Sequence, residues 1–201
     1  SGSIMTQRPD QFTLNASHPL AHGLVFAGLG AHAGSTRYHD SSVYGNHGVL
    51  TNMEPATDWI SSQQLGRYSI DLDGSNDRVQ LYTNSTRSIL SGTNGVSVSF
   101  WIKLTGGAYE WDDYIICLTS VDWANVGCVN VACNGNGALV FYIGDGTGAA
   151  SAVSTANSSV PLGSWAHFSC VSDSTGNAAI YKNGSSIKTG TFPALFTQQV
   201  A

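Results

Sequence analysis

The chain has 201 residues, of which 42% are hydrophobic and only 10% are charged, and its formal net charge is −5. The eight Lys and Arg residues are scattered, so no basic stripe is available to neutralise a phosphate backbone, and we expect no nucleic-acid partner. No apolar run approaches the roughly 20 residues that cross a bilayer, so we expect no membrane insertion. The 23 glycines, with many Ser, Thr and Asn residues, favour an all-β fold.

The N-terminal residues indicate three segments. Residues 1–4, SGSI, precede Met5 and are predicted to be the remnant of an expression tag. Residues 5–17 are then an N-terminal extension, and residues 18–201 are predicted to form one domain. No basic segment followed by an apolar one marks a secretory signal, so the sequence by itself assigns no localisation.

The segment DSSVYGNHGVL, residues 40–50, is a polar loop that ends in an apolar run. Asp40, Ser42 and Asn46 supply carboxylate, hydroxyl and amide oxygens, which are ligands that calcium prefers. Two interpretations remain open. Either these three residues hold one structural calcium ion, or Asp40 and Asn46 form hydrogen bonds to the backbone of their own loop.

Alternation of apolar and polar residues predicts strands from residue 68 onwards. In YSIDLDGSNDRVQL (68–81) two strands flank a tight turn, and GVSVSFWIKL (95–104) is a long, half-buried strand. The same pattern predicts strands at 114–119, 126–133, 138–143, 165–172, 177–182 and 185–189. Short strands separated by Gly- and Asn-rich turns are typical of a sandwich or barrel. We interpret Trp101 and Trp165 as packing residues within strands, and His167 as a solvent-facing or cross-strand histidine.

The four cysteines lack the paired spacing of a zinc site, and each lies in or beside an apolar segment. Buried free thiols are the first interpretation. A disulfide between Cys117 and Cys128, on two strands of one hairpin, is the alternative, because sequence does not determine connectivity.

The segment 106–127 combines aromatic and acidic residues and is the predicted ligand-binding site. Sugar binding needs an aromatic plate for the apolar face of a pyranose and nearby carboxylates or amides for its hydroxyls. In the alternative interpretation the two tryptophans fill the ends of the sandwich while the acids keep the loop solvated. The predicted ligand-binding residues are Tyr109, Trp111, Asp112, Asp113, Trp123 and Asn125.

The sequence predicts no catalytic residues. A retaining glycosidase needs two carboxylates close together, whereas Glu54 and Glu110 are the only glutamates and neither has companions at the E-x-D-x-x-E spacing. The G-x-S-x-G frame of a serine hydrolase is also missing. We therefore expect a protein that is not an enzyme.

Six segments in order resemble the laminin-G-like domains of the concanavalin A-like lectin/glucanase superfamily, particularly its bacterial and phage members. They are HPLAHGLVFAGLG (18–30), HDSSVYGNHGVL (39–50), YSIDLDGSNDRVQL (68–81), GVSVSFWIKL (95–104), VPLGSWAHFSCVSD (160–173) and AAIYKNG (178–184). The resemblance implies a jelly-roll sandwich of two curved antiparallel sheets, and members often hold a structural calcium near the loop equivalent to residues 40–46.

The resemblance also implies a function and raises a question about the C-terminus. It implies a non-catalytic, lectin-like carbohydrate-binding module of a cell-surface or virion protein. The alternative is a structural or protein-interaction domain of a phage tail, virion or surface assembly. Its binding partner is then another protein, or other copies of the chain in an oligomer, and not a glycan. Family members usually end in a closing strand that FPALFTQQVA (192–201) does not match. Either the domain is truncated, or residues 191–200 or another chain supply that strand.

Overall fold

The structure is a computed structural model that describes residues 14–15, 17–30, 32–62, 67–81, 95–105, 113–117, 129–144 and 150–192. Within these ranges a 3₁₀ helix spans Pro19–Ala21, and thirteen strands follow it. The strands are β1 (Arg37–Tyr38), β2 (Gly48–Thr51), β3 (Trp59–Ser62), β4 (Arg67–Ile70), β5 (Arg78–Gln80), β6 (Val96–Ile102), β7 (Asp113–Cys117), β8 (Val129–Cys133), β9 (Leu139–Gly144), β10 (Ala150–Ser154), β11 (Ala166–Ser172), β12 (Asn177–Lys182) and β13 (Ser185–Thr191). The chain divides into two compact units, residues 1–86 and residues 87–201.

The first unit contains two small antiparallel sheets, one in the order β1-β2-β5 and one formed by β3 and β4. Tyr38 stacks on Trp59 with 5.7 Å between ring centroids. The Trp59 indole N–H donates to the carbonyl of Ser35 at 2.9 Å, so this buried indole keeps a hydrogen-bond partner. The predicted strands on either side of the DGSND turn are present, but they pair with different partners, β4 with β3 and β5 with β2.

The second unit is a sandwich of two four-stranded antiparallel sheets, in the orders β10-β9-β8-β7 and β13-β12-β11-β6. Alternate side chains of the strands face a shared apolar core, and burial of each large one contributes about 1.5–3 kcal/mol to folding. The largest apolar side chains that are fully buried there are Phe141, Phe168, Leu139, Ile143, Ile180, Val129, Val131 and Val160.

Because alternate residues of a strand point to opposite faces, the inward residues of β6 leave Ser97, Ser99 and Trp101 exposed on the outer face of their sheet. β6 pairs with β11 over seven residues, from Ala166 opposite Ile102 to Ser172 opposite Val96. This long, regular pairing fixes which outward side chains of the two strands are neighbours.

A tight turn connects β12 to β13 and holds the start of β11. Asn183 and Gly184 both have positive φ, 49° and 83°, as expected for an Asn-Gly turn between two strands. The Asn183 side-chain oxygen accepts the N–H of His167 at 2.9 Å, and the Asn183 N–H donates to the His167 carbonyl at 2.8 Å. The turn therefore fixes the backbone of His167.

The predicted all-β jelly-roll sandwich is confirmed by these antiparallel sheets. The sequence pattern missed β10, because ASAVS offers Val153 as its one large apolar residue. Cys133 and Cys170 are both buried. Cys170 is a free thiol, and burial raises its pKa to about 12. The side chains of Cys117 and Cys128 lie outside the described residues, so their pairing stays a prediction, as does the single domain over 18–201.

Within the ranges given above, no helix is long and apolar enough to span a bilayer.

Candidate functional site

Asp40 is buried, with 6% of its surface exposed, and its carboxylate is surrounded by hydrogen-bond donors. One oxygen, Oδ1, accepts the N–H groups of Ala27 at 2.7 Å and Ser42 at 2.8 Å. The other, Oδ2, accepts the Ser42 hydroxyl at 2.6 Å and the Asn46 N–H at 2.7 Å. A carboxylate has about four lone-pair positions, so these four donors fill them.

The same loop is attached to residues 25–27, by hydrogen bonds that join residues 13 and 21 positions apart. The Asn46 side-chain amide donates to the Val25 carbonyl at 2.8 Å, while Ala27 donates to Asp40. The Asp40 N–H in turn donates to His47 Nδ1 at 3.0 Å. Asp40 and Asn46 together thus connect the loop to residues 25–27.

Burial by itself raises the pKa of Asp40, but the hydrogen bonds outweigh burial. The Ser42 hydroxyl and the N–H groups of Ser42, Ala27 and Asn46 all favour the charged carboxylate, and the pKa lies below the ordinary value of 3.8. Asp40 is therefore an anion at neutral pH, stabilised by the protein's own donors.

The three residues predicted to bind calcium do lie together, but the donors around Asp40 do not fit a cation. N–H and O–H groups present their positive ends to both carboxylate oxygens, so an ion at the same place would have to displace Ser42 and Asn46. Among the described residues, no group of three or more His, Cys, Asp or Glu side chains is arranged to hold a metal. These contacts match the alternative interpretation, a loop that bonds to its own backbone, and calcium binding stays a prediction.

Thermal melting with and without a chelator tests calcium directly. Because a ligand that binds only the folded state raises its stability, removal of a bound calcium lowers Tm. With four protein donors on Asp40, we expect Tm in excess EDTA to equal Tm in added calcium chloride, measured by circular dichroism. A Tm that falls in EDTA and is restored by calcium would show that the ion binds after all.

Three imidazoles lie next to this loop. The ring of His39 is 4.1 Å from that of His32 and 5.2 Å from that of His47, measured between centroids. Burial lowers the pKa of His39, and the nearby His32, His47 and Arg37 lower it further. At neutral pH the His39 ring is therefore uncharged, and it lies against the rings of His32 and His47.

The predicted ligand-binding residues of segment 106–127 lie almost wholly outside the described residues. Asp113 begins β7, and its side chain is not among those described. Tyr109, Trp111, Asp112, Trp123 and Asn125 fall in the ranges 106–112 and 118–128, which are also outside. Sugar binding by this segment stays a prediction.

A second group of residues has the chemistry of a binding surface, on the outer side of β6, β11 and β12. Trp101 is 51% exposed there and lies directly opposite His167, with 5.2 Å between ring centroids. His167 Nε2 and the Ser99 hydroxyl are 2.8 Å apart, and the Ser99 and Ser169 hydroxyls are 3.0 Å apart. We call Trp101, His167, Ser99, Ser169 and Tyr181, which pairs with Ser169 in the next strand, the Trp101 face.

The Trp101 face was only partly predicted by the sequence. The interpretation of Trp101 as a packing residue is wrong, since half of its surface is exposed, whereas the solvent-facing, cross-strand position of His167 is confirmed. Strand alternation already placed Trp101 on the same side as Ser97 and Ser99, and an aromatic on a face of serines was the available signal.

The chain belongs to the Concanavalin A-like lectin/glucanases superfamily. A family model of that description, of the laminin-G type, matches residues 57–200. No curated protein gives a significant match to the chain.

Two solved structures share the fold at low identity. The binding domain of Paraclostridial Mosquitocidal Protein 1 is 17% identical, with a TM-score of 0.54 over 81% of this chain and 39% of that one. The receptor binding domain of botulinum neurotoxin mosaic serotype C/D is also 17% identical, with a TM-score of 0.50 over 65% of this chain and 31% of that one. This chain therefore matches less than half the length of either protein.

Proposed function

We propose that this domain binds carbohydrate without catalysis and that the Trp101 face is a binding surface for it. The observation that carries the proposal is the half-exposed indole of Trp101 beside the imidazole of His167 and the hydroxyls of Ser99 and Ser169. An indole stacks on the apolar face of a pyranose, and hydroxyl and imidazole groups exchange hydrogen bonds with its hydroxyls. Membership of a superfamily that includes lectins supports this use of the fold, and two proteins of similar fold are described as binding domains.

The Ser99–His167 pair does not make this face a hydrolase site by the usual criteria. A catalytic serine needs a base that a third group orients, together with N–H donors for the oxyanion. Among the described residues no carboxylate is hydrogen-bonded to the His167 ring, which contacts the Ser99 hydroxyl and the Trp101 ring, while the Asn183 side chain bonds to the backbone N–H of His167. Ser99 also lies in the middle of a regular strand. The N–H groups of its neighbours lie in the plane of the sheet and point to the adjacent strands, so they do not face a substrate above the sheet. We therefore propose binding alone.

Segment 106–127 remains a second proposed surface. Trp111 and Trp123 would supply the stacking plates, and Asp112, Asp113 and Asn125 the hydrogen-bonding groups, with Tyr109 beside them. This proposal depends on residue chemistry alone.

A protein-interaction function in a surface or virion assembly is the second candidate. It is favoured by β13, which is an end strand among the four described strands of its sheet. Its side chains are exposed at six of seven positions, Ser185–Thr189 and Thr191. The end strand of a sheet can pair with an extended segment of another chain.

A glycan array probed with the wild-type chain, Trp111→Ala and Trp123→Ala tests the proposed function. We expect the wild type to bind at least one neutral glycan, and we expect both variants to retain that binding if the Trp101 face carries it. Loss of binding in both variants would assign recognition to segment 106–127 instead. Binding of no glycan by the folded wild-type chain would contradict carbohydrate recognition and favour the assembly function.

A further inference from the structure

The outer surface of the sheet continues beyond the Trp101 face into a depression lined by small side chains. The next outward residue of β6 after Ser99, in the direction away from Trp101, is Ser97. A row of paired residues crosses the sheet from this position, one on each of the four strands: Ser97, Val171, Ala179 and Thr189. This row lines an open surface depression of about 740 Å³, and Asp173 and Asn177 also belong to its lining.

The combined surface is long rather than round. Trp101 and Ser97 are four residues apart on one strand, and a strand rises about 3.3 Å per residue, so the two positions are separated by about 13 Å. This is the length of a short run of linked pyranose rings rather than of one ring. β6 and β11 pair over seven residues with no register shift, so the long direction of the surface follows these two strands.

The chemistry along this length is neutral and rich in hydroxyls. On β6, β11 and β12, none of the described outward side chains between Trp101 and the depression is Lys, Arg, Asp or Glu, and the sequence of polar groups is His167, Ser99, Ser169, Tyr181 and Ser97. Side-chain hydrogen bonds from Asn177 and then Thr175 hold the pKa of Asp173 at about 2, so the lining of the depression carries a negative charge at this residue. A neutral chain of hydroxyl-bearing rings matches this surface, whereas an acidic glycan meets Asp173.

We propose that the Trp101 face and the depression lined by Ser97, Val171, Ala179 and Thr189 form one extended site for a neutral, linear oligosaccharide that lies along β6 and β11. One ring stacks on Trp101, and the following rings lie over the hydroxyl row and the depression. The proposal rests on the proposed carbohydrate-binding function and adds to it the class of ligand, a run of linked sugars rather than a terminal monosaccharide.

Calorimetric titration with oligosaccharide ladders tests the length of the site. The probes are linear glucose, N-acetylglucosamine and xylose oligomers, each from monosaccharide to hexasaccharide, together with the acidic galacturonate series. For the neutral ladder that binds, we expect affinity to rise from the monosaccharide and to level off once the surface is covered. The galacturonate series is expected to bind more weakly at every length.

A substitution inside the depression separates its contribution from that of Trp101. Ala179→Phe places an aromatic ring in the cavity at a position where strands tolerate phenylalanine. We expect this variant to bind the tetrasaccharide about tenfold more weakly, the effect of losing one or two hydrogen bonds. Its affinity for the disaccharide should not change. Ala152→Phe is the matched control, because Ala152 is an exposed alanine on β10 of the other sheet, and it should change neither affinity.

The outcomes distinguish the two proposals. Equal affinity at all lengths, or an Ala179→Phe variant that binds the tetrasaccharide like the wild type, overturns the extended site and leaves carbohydrate binding in place. Tighter binding of the galacturonate series overturns the neutral ligand class. Binding of no sugar in any ladder by a chain that melts cooperatively overturns the proposed function itself and favours a protein partner.

Discussion

Replacement of Trp101 by alanine is expected to weaken glycan binding roughly thirtyfold, the effect of losing about 2 kcal/mol at a central aromatic contact. The indole is the largest apolar surface on the Trp101 face, and half of it is exposed in the free protein. Stacking a sugar ring there removes that surface from water. Without the indole, neither the serine hydroxyls nor His167 offers an apolar surface of similar size. The measurement is calorimetric titration with the best glycan from the array.

Two companion variants make the Trp101 result specific. Trp101→Phe retains an aromatic plate and should recover most of the affinity. Tyr44→Ala removes an aromatic ring of matching exposure, 52%, from the loop after Asp40 and should leave the affinity unchanged. Because Trp101 lies outside the core, both Trp101 variants should melt close to the wild-type Tm. Undiminished binding by a folded Trp101→Ala variant would exclude this face as the glycan site.

Replacement of Asp40 by asparagine is expected to lower the free energy of unfolding by about 2 kcal/mol, the range for loss of hydrogen bonds to a charged group. Asparagine keeps one acceptor oxygen, but an amide N–H₂ in place of Oδ2 faces both the Asn46 N–H and the Ser42 hydroxyl, which bond to that oxygen in the wild type. The hydroxyl can rotate and accept from the amide, whereas the Asn46 N–H can only donate. One buried donor loses its partner as a result. Urea unfolding followed by circular dichroism measures the difference. The control is Asp73→Asn, a carboxylate that also accepts N–H groups of its own turn but is exposed, and its effect should be small.

The same contacts predict how stability depends on pH. The pKa of Asp40 is lower in the folded state than the ordinary value of 3.8. The charged carboxylate therefore contributes fully to the free energy of unfolding above pH 3.8, and this contribution is lost as pH falls through the folded-state pKa. The stability gap between wild type and Asp40→Asn should therefore be constant near neutral pH and should narrow below about pH 4. A gap that persists unchanged in acid, or an Asp40→Asn variant as stable as the wild type, would mean that the charge of Asp40 does not hold the loop.

The sequence by itself determined the class of fold and which residues share a face. Strict alternation in residues 95–104 and 165–172 predicted β6 and β11, since side chains of a strand point alternately to its two sides. Six ordered segments identified the superfamily. The sequence also marked Asp40 and Asn46 as the residues that organise their loop, and the hydrogen bonds from Asn46 to Asp40 and from Asn46 to Val25 agree with the non-metal interpretation.

Only the tertiary structure decided which residues meet across the sheet. Ser99 and His167 are 68 positions apart in sequence, and their contact follows from the register of β6 against β11, which no local pattern specifies. The same holds for β4 and β5, which flank one turn yet join different sheets. Strand pairing is determined by packing between distant segments, whereas alternation is a local property of the chain. The sequence therefore put Trp101 on a polar face, and the fold placed His167, Ser169 and Tyr181 beside it.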